Sequence, residues 1–415
     1  MVKLLVIADD FTGALDTGVQ FKAKDSLVLI YQPGDGTIRE TMKRNIQVLV
    51  IDAETRHLSP KDAYDTVFAI TSMAVELGIR YIYKKTDSGM RGNIGSELAA
   101  FYDASGGRNI HFLPAFPQMG RTTQNGVHYI DGVPVSQSIF GQDLFEPVRH
   151  SDIREIIGEQ SAVSVSLMGE TVSREPPKGI LVYDSTTEVG MARLAARLKE
   201  EGQLYLMAGC AGFAGILFDQ LGIQPRENAL PAFEKRLLTI CGSINSVTAG
   251  QLDYAAAAGA WRVALTPEQK LTCGWAGSPE GLRTVAEWMA SIPPDRSAII
   301  ECGVEDGRET ARYAGQHGIE LSEARCRIAD NMGGVLMQLL NAGLKATLLV
   351  TGGDTLLAFM QHIRQNALAP ICEILPGVVL SQVTYQNAGY NLLSKSGGFG
   401  QKDLLVQLER YIRPQ

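Results

Sequence analysis

Short apolar runs that alternate with longer helix-like segments are the feature that most constrains the fold of this chain. In the first half, the runs that end at polar residues or glycine are LLVIA (4–8), VLVIDA (48–53), IRYIYK (79–84), IHFLPA (110–115), GILVYDS (179–185) and GQLYLMAG (202–209). Residues 63–78 have the spacing of an amphipathic helix, and Ser59-Pro60 is a typical helix start. Strands that alternate with helices predict an α/β fold with a parallel, doubly wound sheet.

A chain of 415 residues is too long for one ordinary core, so we expect two domains. Residues 222–235 lack periodicity and contain two prolines, which is typical of a domain boundary. Beyond them, the alternation restarts with the apolar runs at 236–243, 297–303 and 346–355. The sequence therefore predicts domains at 1–228 and 229–415, each with a mostly parallel sheet flanked by helices.

Charged residues of both signs follow the predicted strands of the first half. In open α/β sheets, ligands bind beyond the carboxyl ends of the strands, so these residues are candidates for one site. They are Asp9 and Asp10 after the first strand, Asp52, Glu54 and Arg56 after the second, Lys85, Asp87 and Arg91 after the third, and Arg121 and Gln124 beyond the fourth.

The adjacent pair Asp9-Asp10 suggests a division of roles. Successive residues at a strand end point to opposite sides, so the two carboxylates are expected to diverge. One can cap the helix that begins near Gly13, because a carboxylate accepts hydrogen bonds from free backbone N–H groups. The other is then free to face a ligand.

Glycine-bearing loops between strands and helices collect in the second half. They are Cys241-Gly242-Ser243, Thr351-Gly352-Gly353-Asp354-Thr355 and Ser396-Gly397-Gly398-Phe399-Gly400. Glycine allows a backbone to approach a phosphate closely, and helix N-termini offer N–H groups to anions. Neither GxxxxGK[ST] nor an early GxGxxG is present, so these loops predict a nucleotide site without a P-loop or dinucleotide motif.

Composition and charge exclude several classes of protein. The net charge of −7 argues against nucleic-acid binding, and no apolar stretch approaches the roughly 20 residues of a membrane span. We interpret the N-terminus as a strand rather than a signal peptide, which predicts a cytoplasmic protein. The six cysteines lack zinc-site spacing and are expected to be scattered reduced thiols, and no protein metal site is predicted.

Other classes of protein share some of these features. A haloacid-dehalogenase-type phosphatase needs Asp-x-Asp, whereas this chain has Asp9-Asp10-Phe11-Thr12, and a response-regulator receiver would leave the second half unexplained. A phosphatase with an aspartate nucleophile and a non-catalytic sugar-acid binding protein stay open as alternatives.

Six stretches, taken in order, resemble the four-carbon acid sugar kinases. They are ADDFTGALDTG, KKTDSGMRGNIGSE, PAFPQMGRTTQNGVHYIDGVPV, GSINSVTAGQ, TGGDT and KSGGFG, and they span essentially the whole chain. The resemblance implies an N-terminal substrate domain, a C-terminal ATP-binding domain and an active site in the cleft between them. It also implies a kinase for tetronates, with D-threonate as the first candidate and D-erythronate or a 3-oxo-tetronate as alternatives.

Carried over to this chain, the resemblance implies two sets of site residues. Those for the sugar acid are Asp9 or Asp10, Arg56, Lys85, Thr86, Asp87 and Ser88, to which the charge argument adds Arg91. Those for ATP are Ser243, Gly352, Gly353, Asp354, Thr355 and Gly397.

The chemistry of phosphoryl transfer assigns expected roles to these residues. Arg56, Lys85 and Arg91 would anchor or neutralise the anionic ligands, and an aspartate would accept the proton of the 4-hydroxyl. The resemblance favours Asp9 as a substrate contact, and the base stays open between Asp10 and Asp87. Mg²⁺ would arrive with ATP, and whether the chain forms a homodimer is left open.

Overall fold

The fold is described from a computed structural model of the chain. The residues described are 2–21, 26–31, 36–143, 146–224, 230–294, 296–303 and 307–413. They form two compact units, Met1–Glu227 and Asn228–Gln415. No helix within these ranges combines the length and the apolar character that crossing a membrane requires.

In the described part of the first unit, eight parallel strands form a sheet. Its strands are β1 (Leu4–Ala8), β2 (Ser26–Ile30), β3 (Val48–Asp52), β4 (Tyr81–Lys85), β5 (Ile110–Leu113), β9 (Val165–Gly169), β10 (Ile180–Tyr183) and β11 (Leu206–Gly209). Their order across the sheet is β2-β3-β1-β4-β11-β5-β10-β9, and every neighbouring pair is parallel. The predicted α/β class is therefore confirmed for this unit.

Among the described residues of this unit, seven α-helices lie between these strands or follow the last of them. They are α1 (Phe11–Gln20), α2 (Thr37–Lys43), α3 (Pro60–Glu76), α4 (Ile94–Ala104), α5 (Ile153–Gly158), α6 (Glu188–Glu200) and α7 (Ala211–Leu221). Helix α3 begins as predicted, because the Ser59 side chain accepts a hydrogen bond from the Asp62 N–H and Pro60 occupies the first turn. Strand β1 is buried along its whole length, which explains its unbroken apolar sequence.

A small antiparallel sheet interrupts the alternation in the first unit. It consists of β6 (Arg121–Gln124), β7 (Val127–Ile130) and β8 (Val133–Pro134). The turn between β6 and β7 is Asn125-Gly126, with φ of 52° and 76°, which is typical of a tight hairpin.

In the second unit, seven strands of the described ranges form a mixed sheet. They are β12 (Leu237–Cys241), β13 (Trp261–Ala264), β14 (Ala298–Glu301), β15 (Thr347–Thr351), β16 (Ala367–Leu375), β17 (Val378–Tyr385) and β18 (Ala388–Lys395). Their order is β13-β14-β12-β15-β18-β17-β16. The first five are parallel as predicted, whereas β17 and β16 are added in antiparallel orientation, which the sequence pattern did not predict.

The helices of the second unit lie between these strands and at the end of the chain. They are α8 (Ser246–Ala257), α9 (Pro267–Leu271), α10 (Pro279–Ser291), α11 (Gly307–Gln316), α12 (Leu321–Asn341), α13 (Gly353–His362) and α14 (Leu404–Ile412). The core of this unit brings together buried residues of β12, β15, β17, β18 and α14, among them Leu237, Leu349, Leu380, Leu393 and Leu408.

Candidate functional site

The carboxyl ends of three adjacent strands of the first unit bring charged side chains together. Strand β1 lies between β3 and β4, with Ala8 opposite Asp52 on one side and Ile7 opposite Lys84 on the other. The residues that leave these strands therefore emerge at the same level. We call the resulting group the charged cluster; its members are Asp9, Asp10, Arg56, Lys85, Asp87 and Arg91.

Asp9 lies at the centre of the charged cluster and is only 2% exposed. Its Oδ2 accepts hydrogen bonds from Arg56 Nε at 2.8 Å and lies 2.7 Å from Arg56 Nη2, and its Oδ1 accepts from Lys85 Nζ at 2.9 Å. Burial alone would raise the pKa of Asp9, but the charges of Arg56 and Lys85 outweigh it and hold the pKa well below its ordinary value. Asp9 is therefore a carboxylate whose oxygens are already occupied.

Asp10 contacts the same two cations through its Oδ1. This oxygen lies 2.7 Å from Arg56 Nη2, accepts a hydrogen bond from Lys85 Nζ at 3.0 Å, and caps α1 by accepting from the Gly13 N–H at 3.2 Å. The prediction that one aspartate caps the helix is confirmed. The prediction that the two side chains diverge is wrong, because the turn after β1 brings both carboxylates onto Arg56 and Lys85. The described residues donate no hydrogen bond to Asp10 Oδ2.

Asp87 and Arg91 form the second part of the charged cluster. Asp87 Oδ2 accepts from Arg91 Nε at 2.8 Å and Oδ1 accepts from Arg91 Nη2 at 3.0 Å, while the backbone N–H groups of Gly89 and Arg91 also donate to Oδ2. Burial would raise the pKa of Asp87, but Arg91 and Arg56 hold it well below its ordinary value. Arg91 Nη1 also donates to Asp143 at 3.3 Å.

The two uncharged residues predicted for this site lie beside the cluster. The Thr86 N–H donates to Gly209 at 2.8 Å, and its buried hydroxyl has no partner in the described part of the chain. The Ser88 carbonyl accepts from Nε2 of His128 at 3.0 Å, so a residue of β7 holds the loop that carries Asp87.

Sequence reasoning missed several residues that surround the charged cluster. His128 is fully buried, and burial lowers its pKa to about 4, so the ring is neutral at pH 7. The ring of Phe140 lies 5.0 Å from Arg91 Cζ and 5.8 Å from Arg121 Cζ. His128 lies within the stretch PAFPQMGRTTQNGVHYIDGVPV, but no spacing rule indicated its role.

A second ion pair lies beneath the cluster rather than in it. Lys84 and Glu97 are 0% and 1% exposed, and Lys84 Nζ lies 2.7 Å from Glu97 Oε2. Because both side chains are buried, this ion pair belongs to the core between β4 and α4.

In the second unit, the carboxyl ends of β12, β15 and β18 bring the glycine loops together. The Gly242 N–H donates to the Thr351 carbonyl at 3.0 Å, and Gly352 has a φ of 106° that favours glycine. A Cβ added at Gly397 would lie 2.5 Å from Ser243 Oγ, and one added at Gly242 would lie 1.9 Å from Thr355 Oγ1. The predicted residues Ser243, Gly352, Thr355 and Gly397 are thus neighbours, and Gly353 begins α13 beside them.

Two further residues of the second unit, Asp354 and Lys395, lie at or just after the ends of strands that carry the glycine loops. Asp354 lies in the first turn of α13 but forms an ion pair with Arg325 of α12 at 3.1 Å, so its carboxylate is engaged there. Lys395, which the sequence analysis left without a role, is fully buried and donates to Thr248 Oγ1 at 3.2 Å and to the carbonyls of Ser396 and Gly397 at 2.8 and 3.2 Å. It ties the loop after β18 to the first turn of α8.

A metal held by protein side chains does not fit the observed donors. No group of three or more His, Cys, Asp and Glu side chains suited to a metal ion occurs within the described ranges. In the charged cluster, the carboxylates face cationic nitrogens, which compete with a metal ion for the same oxygens.

Comparison with known proteins matches two family models to the two units. The model described as Sugar-binding N-terminal domain matches residues 4–217, and that described as Nucleotide-binding C-terminal domain matches residues 238–405. The charged cluster lies in the first range and the glycine loops in the second.

Curated relatives and a solved structure match along nearly the whole chain. A D-threonate kinase of Salmonella typhimurium is 28% identical, covering 99% of this chain and 98% of its own. A D-erythronate kinase of Heliobacterium modesticaldum is 24% identical, covering 99% and 97%. A Salmonella typhimurium structure described as a putative tRNA synthase superposes with a TM-score of 0.74 at 20% identity, covering 99% of both chains, and shows the same fold.

Proposed function

The chain belongs to the four-carbon acid sugar kinases, which join a sugar-binding N-terminal domain to a nucleotide-binding C-terminal domain, and from this we propose that it phosphorylates the 4-hydroxyl of a tetronate with ATP. D-threonate is the first candidate substrate, and D-erythronate and a 3-oxo-tetronate are the alternatives. The observation that carries the proposal is that the charged cluster and the glycine loops lie in the parts of the chain that match these two domains.

The charged cluster is the proposed site for the sugar acid. Its cations and carboxylates offer donors and acceptors in alternation, which suits a substrate that carries both hydroxyls and a carboxylate. Because Asp9 and Asp87 already accept several charged hydrogen bonds, we assign them to holding Arg56, Lys85 and Arg91 in place.

Asp10 is the proposed acceptor of the 4-hydroxyl proton. Its Oδ1 is fixed by Lys85 and by the capping bond from Gly13, which orients the carboxylate. Its side chain is 18% exposed, compared with 2% for Asp9 and 9% for Asp87, so Asp10 is the most accessible of the three aspartates. A base need only be positioned and moderately effective in phosphoryl transfer, because the transition state is loose.

The glycine loops of the second unit are the proposed site for ATP. Side chains would fill the space at Gly242 and Gly397, so glycine keeps the backbone around Ser243 open. The N-termini of α8 and α13 add N–H groups that favour phosphate oxygens. ATP would supply the transferred phosphoryl group. We propose that Mg²⁺ arrives on the nucleotide, and that the reaction occurs in the cytoplasm, where ATP is available.

An assay of four-carbon acids with ATP tests this function. The purified chain is incubated with ATP, Mg²⁺ and each of D-threonate, D-erythronate and a 3-oxo-tetronate, and the products are analysed by mass spectrometry. We expect ATP-dependent phosphorylation of at least one acid, with D-threonate turned over best. Release of phosphate from phosphorylated tetronates without ATP would instead support a phosphatase, and binding without turnover would support a binding protein.

A further inference from the structure

Arg121 differs from the other cations near the proposed sugar-acid site. Arg56, Lys85 and Arg91 each contact at least one carboxylate at 3.0 Å or less. Arg121 is 8% exposed, yet among the described residues no carboxylate forms an ion pair with it. A buried cation without a paired anion is costly, so its retention indicates a partner that the chain does not supply.

The hydrogen bonds of Arg121 leave one edge of its guanidinium unpaired. Nη1 donates to the Met119 carbonyl, which fixes the side chain. Nε is buried without an acceptor, and the described residues offer none to Nη2 either. Nε–H and Nη2–H point the same way along one edge of a guanidinium, and this is an edge that a carboxylate can bind through both oxygens.

The surroundings of Arg121 place its guanidinium near the charged cluster. Its Cζ lies 5.8 Å from the centre of the Phe140 ring, the same ring that Arg91 contacts at 5.0 Å. Burial lowers the pKa of Arg121, and the charges of Asp131 and Asp87 only partly offset this effect. An incoming carboxylate would complete the charge balance at Arg121 without displacing Asp9, Asp10 or Asp87 from their cations.

We propose that Arg121 binds the carboxylate of the sugar-acid substrate through its Nε and Nη2 edge. This inference rests on the proposed function, and it identifies a specificity residue that distinguishes an acid from a neutral sugar of similar size. The charged cluster then handles the hydroxyl end of the substrate, where the phosphoryl group is received.

The test compares Arg121→Gln with the wild-type chain on two substrates, the preferred tetronate and its primary amide, which lacks the negative charge. We expect Arg121→Gln to lower kcat/KM for the acid about 10- to 100-fold, the scale of a charged hydrogen bond, and to lower that for the amide less than about threefold. Arg121→Lys keeps the positive charge but loses the two parallel N–H donors. It should lower kcat/KM for the acid by an intermediate amount and leave kcat/KM for the amide unchanged.

Controls separate this inference from a structural effect and from failure of the proposed function. Arg154→Gln, at an exposed arginine paired with Asp152, should change kcat/KM for neither the acid nor the amide. Equal losses on acid and amide, or no loss on either, would overturn the role of Arg121. Thermal melting and calorimetric ADP binding should match the wild type, and weakened ADP binding would assign Arg121 to the nucleotide instead. If the wild-type chain phosphorylates no tetronate, the proposed function itself fails.

Discussion

At the scale of single residues, Asp9 and Asp10 share partners but differ in accessibility. Both carboxylates contact Arg56 and Lys85, whereas only Asp10 caps α1 and is partly exposed. Neutralising Asp9 would leave two buried cations with one fewer counter-charge. Neutralising Asp10 would keep the cap, because Asn caps a helix about as well as Asp.

The Asn variants of this pair are therefore expected to fail in different ways. Asp9→Asn should lower the free energy of unfolding by about 3 kcal/mol, the scale of a broken buried ion pair, as measured by urea unfolding. Asp10→Asn should keep nearly full stability but lower kcat about 100-fold or more, the scale of general-base assistance. If Asp10→Asn keeps its kcat while Asp87→Asn loses it, the base is Asp87.

The sequence predicted which residues of the charged cluster meet, but not how they pair. The carboxyl ends of adjacent parallel strands must lie together, so Asp9, Arg56 and Lys85 could be brought to one place from strand order alone. Their pairing depends on the path of the turn after β1, which has no sequence signature. The contact between Arg121 and Phe140 could not be predicted, because the segment that carries Phe140 has no regular structure.

At the scale of secondary-structure elements, β7 supports the loop between β4 and α4. His128 Nε2 donates to the Ser88 carbonyl at 3.0 Å, and His128 Nδ1 accepts from the Thr123 hydroxyl at 3.1 Å. Because the ring is neutral, only one nitrogen carries a proton, and the carbonyl of Ser88 requires that proton on Nε2. The small sheet thereby fixes the position of Asp87.

Two variants of His128 test this support. The amide nitrogen of Gln can replace Nε2, whereas Asn reaches only as far as Nδ1. We expect His128→Asn to raise the KM for the tetronate about tenfold, the scale of a buried carbonyl left unpaired, and His128→Gln to raise it less than about threefold. The KM for ATP serves as the internal control. Equal effects of both variants on the tetronate would mean that β7 does not position this loop.

The sequence analysis predicted most of the long strands of the parallel sheets but not the small antiparallel sheet. Long apolar runs predicted β1, β3, β4, β5 and β12 to within a residue or two, because buried parallel strands have continuous apolar sequences. The dipeptides Asn125-Gly126 and Asp131-Gly132 are typical of hairpin turns, and both have positive φ in the structure, so they could have indicated β6, β7 and β8. The sequence analysis did not use them. Strands β16 and β17 pair antiparallel, an arrangement that depends on long-range register.

At the scale of the whole molecule, the division into two compact units predicts that the binding of the tetronate and the binding of the nucleotide can be weakened separately. Arg56→Ala should weaken tetronate binding about tenfold or more and change the Kd of ADP less than about twofold, by calorimetry on the intact chain. Gly397→Ala, whose Cβ would crowd Ser243, should weaken ADP binding about tenfold or more and leave tetronate binding unchanged.

The matched control for the glycine variant is Gly315→Ala, which meets no atom within 4 Å and lies in helix α11 of the same unit. It should leave the binding of both ligands unchanged. Loss of ADP binding in Arg56→Ala, with melting unchanged, would contradict the assignment of one ligand to each unit.

The buried pair of Lys84 and Glu97 also limits how this sequence can diverge over evolutionary time. Replacing either residue alone leaves the other as an isolated charge in the core, at a cost of about 3–5 kcal/mol, which is a large part of the margin that keeps a domain folded. Descendants of this chain should therefore keep both residues or exchange both for a matched apolar pair. A lineage that altered only one would cross a fitness valley, whereas the exposed pair of Arg39 and Glu76 can drift freely.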